Sequence, residues 1–202
     1  MNVKQKGLAF ETITFDTIVM FEESKNQVPA TQSLMKSSDV VDLYELCQQN
    51  EITIWIDGGW AVDALLGKQI RDHNDVDIAI EWKQVSKLRK LLEAKEYRET
   101  AQDGQFNFVM TDRAGKTIDF HAFILDTEGN IKEGIEYPKG SLTGSGVIND
   151  KVINCIAPTY MVQFIAPWIS KHPSKYLPAV SALCEKYNIP LPEEYLKYKE
   201  NI

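Results

Sequence analysis

Apolar residues recur along the chain with two periods, and the switches between them mark out the elements. From Ser37 or Ser38, either able to cap a helix, Val40, Leu43, Tyr44 and Cys47 fall at helical spacing as far as about Asn50. ITIWI (52–56) is then a short β-branched run closed by DGG, and WAVDALLG reads as a two-turn helix ended by Gly67. VDIAI (76–80) is the next strand, followed by an amphipathic helix through Val85, Leu88, Leu91 and Leu92 to about Lys95. FNFVM (106–110) and TIDFHAFI (117–124) form a hairpin across DRAGK, and GVIND with KVINCI forms a second one around Asn149 and Asp150. Pro158 opens a helix holding Met161, Phe164, Ile165 and Trp168, which Pro167 kinks or ends. A last helix runs from about Ser174 to Tyr187, and NIPLPEEY reads as an extended tail.

The first 37 residues are less regular: Leu8 to Phe21 reads as a strand or hairpin and the stretch after it as a loop. The pattern divides the chain into an N-terminal extension (1–37), a central domain (38–157) and a helical C-terminal part with its tail (158–202). The class is α+β, a mixed sheet with flanking helices, without the regular alternation of a doubly wound fold.

Composition narrows the class of partner. At 202 residues, 44% hydrophobic and 25% charged, the chain suits one globular domain with a small appendage. No apolar run approaches the roughly 18 residues that span a bilayer, and charge interrupts any signal-peptide core near the start, so the expectation is a cytoplasmic protein. Cys47, Cys155 and Cys184 are odd in number and far apart, which suggests neither a disulfide framework nor zinc. The net charge of −7 and the lack of a basic stripe argue against nucleic acid as partner. Such a surface serves solubility first, although it would also suit a cationic small molecule.

Carboxylates carry the candidate chemistry. Residues two apart on a strand share a face, so Asp75 and Asp77 project together while Val76, Ile78 and Ile80 face the core. In TIDFHAFI the same rule sets Thr117, Asp119, His121 and Phe123 opposite Ile118, Phe120, Ala122 and Ile124. If the two strands are neighbours, three carboxylates converge, as in two-metal phosphoryl or nucleotidyl transfer, and a hard cation such as Mg²⁺ would offset their repulsion. Gly58 and Gly59, between a strand and a helix start, would present backbone N–H groups and a helix N-terminus to a phosphate. Lys68 and Arg71 lie between glycines and acids and can pair a triphosphate or stand as ordinary loop charges.

Rival motifs fail on detail. The glycines fit neither the Rossmann nor the Walker pattern. An EF-hand begun at Asp72 would have Asp77 and Lys83 where Gly and Glu belong. His73, His121 and His172 lack zinc spacing, and no serine or cysteine stands in a nucleophile motif.

IDGGWAVDALLGKQIRDHNDVDIAI resembles the glycine and acid motif of the DNA polymerase beta-like nucleotidyltransferases. More narrowly it is similar to the lincosamide nucleotidyltransferases and aminoglycoside 2''-adenylyltransferases, with Gly58, Gly59, Trp60, Asp63, Gly67, Arg71, His73, Asp75 and Asp77 in the order of their pattern. The IDFHAF strand and, more loosely, YPKGSLTGSGVINDKVINCIAP extend the resemblance, which covers residues 38 to about 170. It implies the polymerase beta-like fold and transfer of a nucleoside monophosphate, from ATP or another NTP, to a hydroxyl of a small acceptor such as a lincosamide or aminoglycoside.

The resemblance further implies that Asp75 and Asp77 ligate one or two Mg²⁺ ions, with Asp119 as third carboxylate, either ligand or base. Gly58 and Gly59 would lie against the triphosphate and Arg71 would neutralise its charge. His121 would orient the acceptor hydroxyl or hydrogen-bond Asp119; Asp57 and Trp60 are the other candidates for substrate contact. Asp126, Glu128, Glu133 and Glu136, beyond the active strand, are candidates for a cationic acceptor by that position alone and read first as solvated loop charges. A toxin-type enzyme acting on protein or tRNA, a non-catalytic nucleotide binder, and an interaction protein dimerising through its N-terminal hairpin are the alternatives. Both a monomer and a homodimer are compatible with the sequence.

Overall fold

A computed structural model describes residues 33–199 of the chain. The expected strand or hairpin at residues 8–21 lies outside the described residues. Helix α1 (Ser37–Gln49) buries Val40, Leu43, Tyr44 and Cys47, the stripe that its spacing predicts. Its first turn is held by Asp39, whose carboxylate accepts the Lys36 N–H at 2.9 Å, and the Tyr44 hydroxyl accepts the Asn154 N–H at 2.9 Å.

The remaining elements follow as β1 (Ile54–Asp57), α2 (Gly58–Leu66), β2 (Asp75–Glu81), α3 (Trp82–Ala94), β3 (Arg98–Gln102), β4 (Asn107–Thr111), β5 (Thr117–Leu125), β6 (Ile131–Gly134), β7 (Gly144–Ile148), β8 (Lys151–Cys155), α4 (Pro158–Ile165), α5 (Pro173–Tyr187) and α6 (Glu193–Lys199). The strands make one mixed sheet in the order β3-β4-β5-β2-β1-β8-β7, with β6 also pairing β5. Strand β2 is antiparallel to β1 and parallel to β5, so the central strands carry the register of the whole.

Each central strand sends alternate residues to two different environments. Val76, Ile78 and Ile80 are fully buried, and Phe108 stacks on Phe120 with ring centroids 4.4 Å apart on the same side. Helix α3 covers that side with Val85, Leu88 and Leu92, and its Arg89 guanidinium lies over the Phe108 ring. The opposite side carries the acids.

Turn chemistry fixes the edges. Asn149 and Asp150 both have positive φ, the conformation of a two-residue hairpin turn, and join β7 to β8. Helix α2 ends at Gly67, φ 73°, and two of its last carbonyls accept from α5: Leu65 from the Tyr187 hydroxyl at 2.8 Å and Leu66 from the Lys186 ammonium at 3.1 Å. A cation there also complements the negative end of the helix dipole. The C-terminal helices thus share one core with the sheet.

The expected extended tail is only partly extended. After Pro192 the chain turns into α6, because Tyr195 is fully buried and its hydroxyl lies 3.4 Å from the Ile165 carbonyl. Strands β3 and β6 also went unpredicted: every residue of β3 is exposed, so it has no apolar alternation to read. Among the described residues no helix is long and apolar enough to cross a membrane.

Strand β7 approaches α2 so closely that a Cβ on Gly146 would lie 2.5 Å from the Ala64 backbone. Gly146→Ala is therefore expected to destabilise the fold by about 1–3 kcal/mol, the usual cost of overpacking. Urea unfolding should show a lower midpoint with an unchanged slope.

Candidate active site

The register of three strands builds the site. Asp57 pairs with Asp77 across β1 and β2, and Asp77 pairs with Asp119 across β2 and β5. Because paired residues point to the same side of a sheet, the three carboxylates form one row. Beside it runs a second row, Trp55, Ala79 and His121, and on the other flank Asp75 stands level with Thr117. Asp119 is fully buried, Asp57 is nearly so, and Asp75 and Asp77 are half-buried.

Asp57 ends β1 and caps α2. Its Oδ1 accepts the Gly58 N–H at 2.7 Å, and its Oδ2 accepts the Tyr137 hydroxyl at 2.8 Å. Burial opposes its ionisation, but His121, the Gly58 N–H and the Tyr137 hydroxyl outweigh burial and hold its pKa below the usual carboxylate range. The Tyr137 phenol is pushed well up by burial and by the adjacent Asp57 charge, so it remains a donor. For His121 burial again opposes the charge, yet Asp119 and Asp57 raise its pKa to about 10.

The two glycines serve different neighbours. Gly58 has φ 58°, in the left-handed region, and a Cβ there would fall 1.9 Å from Asp77 Oδ2. A Cβ on Gly59 would fall 2.3 Å from His73 Nδ1 and 2.5 Å from the Arg71 guanidinium. The pair thus lets the helix N-terminus, an acid and an arginine crowd into one corner. Arg71 donates to the Asp72 carbonyl at 2.9 Å and reaches the glycines, whereas Lys68 is exposed just beyond Gly67.

The rest of the glycine motif holds this corner in place. Asp63 and His73 are buried and joined at 2.6 Å, and the second Asp63 oxygen accepts the Ile70 N–H at 3.2 Å. One carboxylate therefore ties the helix to the loop that delivers β2. Trp60, considered above for substrate contact, is 1% exposed and packs on the His73 ring at 4.6 Å, so its surroundings are those of a core residue.

Among the described residues, the group of three metal-ligating side chains that converges is Asp77, Asp119 and His121, with one donor atom from each within 4.8 Å of the others. The donor set suits a divalent cation, and Gly58 leaves beside Asp77 the space that a side chain would fill. Asp75 shares their face but lies one register step away. Tyr137 had no signal in the sequence, since it comes from the irregular stretch after β6. Asp57 stood out only as the last residue before the glycines.

This fold is that of known nucleotidyltransferases. A lincosamide antibiotic adenylyltransferase, LnuA, solved with lincomycin, superposes with a TM-score of 0.66 at 21% identity, covering 78% of this chain and 100% of that one. ANT(2'')-Ia, solved with adenylyl-2''-tobramycin, also gives 0.66, at 18% identity, covering 82% and 97%. In sequence, a lincosamide resistance protein of Staphylococcus haemolyticus is 29% identical over 104 residues, 49% of this chain and 65% of its own length. A 2''-aminoglycoside nucleotidyltransferase of Klebsiella pneumoniae is 26% identical over 147 residues, 67% and 80%. The aminoglycoside-2''-adenylyltransferase family profile matches residues 39–168, and the chain belongs to that family.

Two substitutions separate the scaffold from the site. Asp63→Ala leaves the buried His73 without its partner and should cost about 1–3 kcal/mol of unfolding free energy, measured by denaturant titration. Gly58→Ala combines a left-handed conformation, roughly 1–2 kcal/mol for a residue with a Cβ, with displacement of Asp77. It should weaken divalent-cation binding, measured by calorimetry, more than Gly67→Ala, where φ is also positive but the space is open.

Proposed function

We propose that this protein transfers a nucleoside monophosphate, AMP from ATP, to a hydroxyl of a small antibiotic of the lincosamide or aminoglycoside type. The observation that carries the reading is the register of Asp77 with Asp119, which sets two acids side by side against the N-terminus of α2. Membership of the aminoglycoside-2''-adenylyltransferase family supports the same reaction.

In this reading the triphosphate lies against Gly58 and Gly59, where the helix dipole and the N–H groups that follow Gly58, whose own N–H is given to Asp57, favour negative charge. Arg71, already held against Gly59, neutralises part of that charge, and Lys68 approaches from the exposed side. Asp75, Asp77 and Asp119 would hold Mg²⁺, which when bound would lower the pKa of the acceptor hydroxyl and neutralise the leaving pyrophosphate. Asp119, buried beside Asp77, would serve as a further ligand or as the base that takes the hydroxyl proton. The protein's own contribution is then positioning and fixed charge.

A hollow of about 280 Å³ opens beside Tyr137, lined by Glu133, Gly134, Glu136 and Pro138 among others. Tyr137, part of its lining, bonds Asp57 at the end of the acid row, and of the two glutamates there Glu136 would suit a cationic acceptor, whereas Glu133 lies 3.7 Å from the Lys132 ammonium in the same lining. Asp126, in contrast, spends its carboxylate on its own turn, accepting the Glu128 and Asn130 N–H groups at 2.9 Å.

Incubation with each NTP and a panel of lincosamides and aminoglycosides, followed by mass spectrometry, should reveal one acceptor gaining a nucleoside monophosphate. Asp77→Asn should reduce that transfer by more than about a hundredfold while keeping the melting temperature. A panel with no modified acceptor would overturn the assignment.

A further inference from the structure

The two ring nitrogens of His121 face different carboxylates. Nδ1 lies 3.4 Å from Asp57 Oδ2, and Nε2 lies 3.6 Å from Asp119 Oδ2. To reach Asp57 the ring must lean across β2, because neighbouring strands are about 4.8 Å apart and β1 is two strands from β5. Ala79, level with His121 in the register, supplies the low point over which it leans. Asp57 in turn is fixed at both oxygens, by the Gly58 N–H and by the Tyr137 hydroxyl.

An imidazole held at one nitrogen by a fixed carboxylate, with its other nitrogen directed at further carboxylates, is arranged as metal-binding histidines are. The first contact keeps a hydrogen on Nδ1, so that a cation bound among the carboxylates would take the place of the Nε2 proton. The spacing agrees. Nε2 and Asp119 Oδ2 stand 3.6 Å apart, an ion-pair contact longer than a hydrogen bond. Donor atoms sharing one ion at about 2.1 Å stand about 3 Å apart when adjacent and about 4 Å when opposite, and the Asp77, Asp119 and His121 donors lie within 4.8 Å of one another.

We propose that His121 is a metal ligand, its Nε2 joining Asp77 and Asp119 around one divalent cation, and that Asp57 and Tyr137 are positioning residues that aim it. The inference rests on the nucleotidyl-transfer reading of the acid row and adds a nitrogen donor to it. A nitrogen in the set shifts preference from Mg²⁺, which favours oxygen, toward Mn²⁺ or Co²⁺. A histidine that only oriented the acceptor hydroxyl would leave cation affinity unchanged.

Electron paramagnetic resonance of the full chain with Mn²⁺ and no nucleotide tests this directly. Bound Mn²⁺ should show nitrogen coupling in the pulsed spectrum, the coupling should change when histidine is ¹⁵N-labelled, and it should vanish in His121→Gln. Asp57→Asn keeps the helix cap but weakens the hold on Nδ1, and should loosen Mn²⁺ by about 10–100-fold, the usual effect of losing such a partner. Wild type should bind Mn²⁺ at least about tenfold more tightly than Mg²⁺, with the ratio falling in His121→Gln. The labelling arm needs no variant and decides the matter if His121→Gln fails to fold.

Mn²⁺ bound without nitrogen coupling, with equal affinity in His121→Gln, overturns the inference and leaves nucleotidyl transfer standing. No Mn²⁺ binding at all overturns the inference as well. Nitrogen coupling together with an unmodified acceptor panel supports the ligand set and overturns the assigned reaction instead.

Discussion

The site depends on the pairing of β2 with β5. Parallel strands in this register put Asp77 beside Asp119, and the antiparallel pairing of β1 brings Asp57 into the same row. A slip of one residue would turn β2's acids toward α3 and its isoleucines toward the site. The hydrophobic side prevents that slip: Val76, Ile78, Ile80, Ile118 and Phe120 are each 0–1% exposed, and together they pin the strands in place. A row of carboxylates repels itself, so the apolar burial behind it supplies the energy that keeps the acids together, and His121 and the N-terminus of α2 offset part of the charge in front.

That division explains why the glycine motif contains so many residues with no direct chemistry. Gly58 and Gly59 are defined by what they make room for, Asp77 on one side and His73 with Arg71 on the other. Asp63 and His73 form a buried link between the helix and the incoming strand, and Trp60 fills the space behind them. If any of the three moved, the distance between the helix N-terminus and Asp77 would change. In the proposed reaction a phosphate site and a cation site would share a substrate only at a fixed separation, so these core residues would act through geometry.

Much of the fold was legible because its central elements bury one face. Strands β2 and β5 alternate cleanly, α3 repeats its leucines at helical spacing, and Asn149-Asp150 is a turn by its residue types. Elements without a buried face left no trace: β3 is exposed throughout, and the two prolines before α6 concealed a helix that forms because Tyr195 enters the core. In the site, the spacing of Asp75, Asp77, Asp119, Gly58 and Gly59 was readable for the same reason. Tyr137 was not, because a residue in an irregular segment has no period, and its contact with Asp57 spans 80 positions.

The sequence by itself determined which side chains face together along each strand, since that follows from a period of two within a few residues. It also determined the family, because the glycine and acid spacing is local. Which strands are neighbours, and hence which acids meet, was decided only by the tertiary structure. Register between β1, β2 and β5 is a property of pairing over long separations, set by how the whole apolar side packs. The same packing gave Asp57, read from the sequence as a candidate substrate contact, a place in the acid row as helix cap and partner of His121.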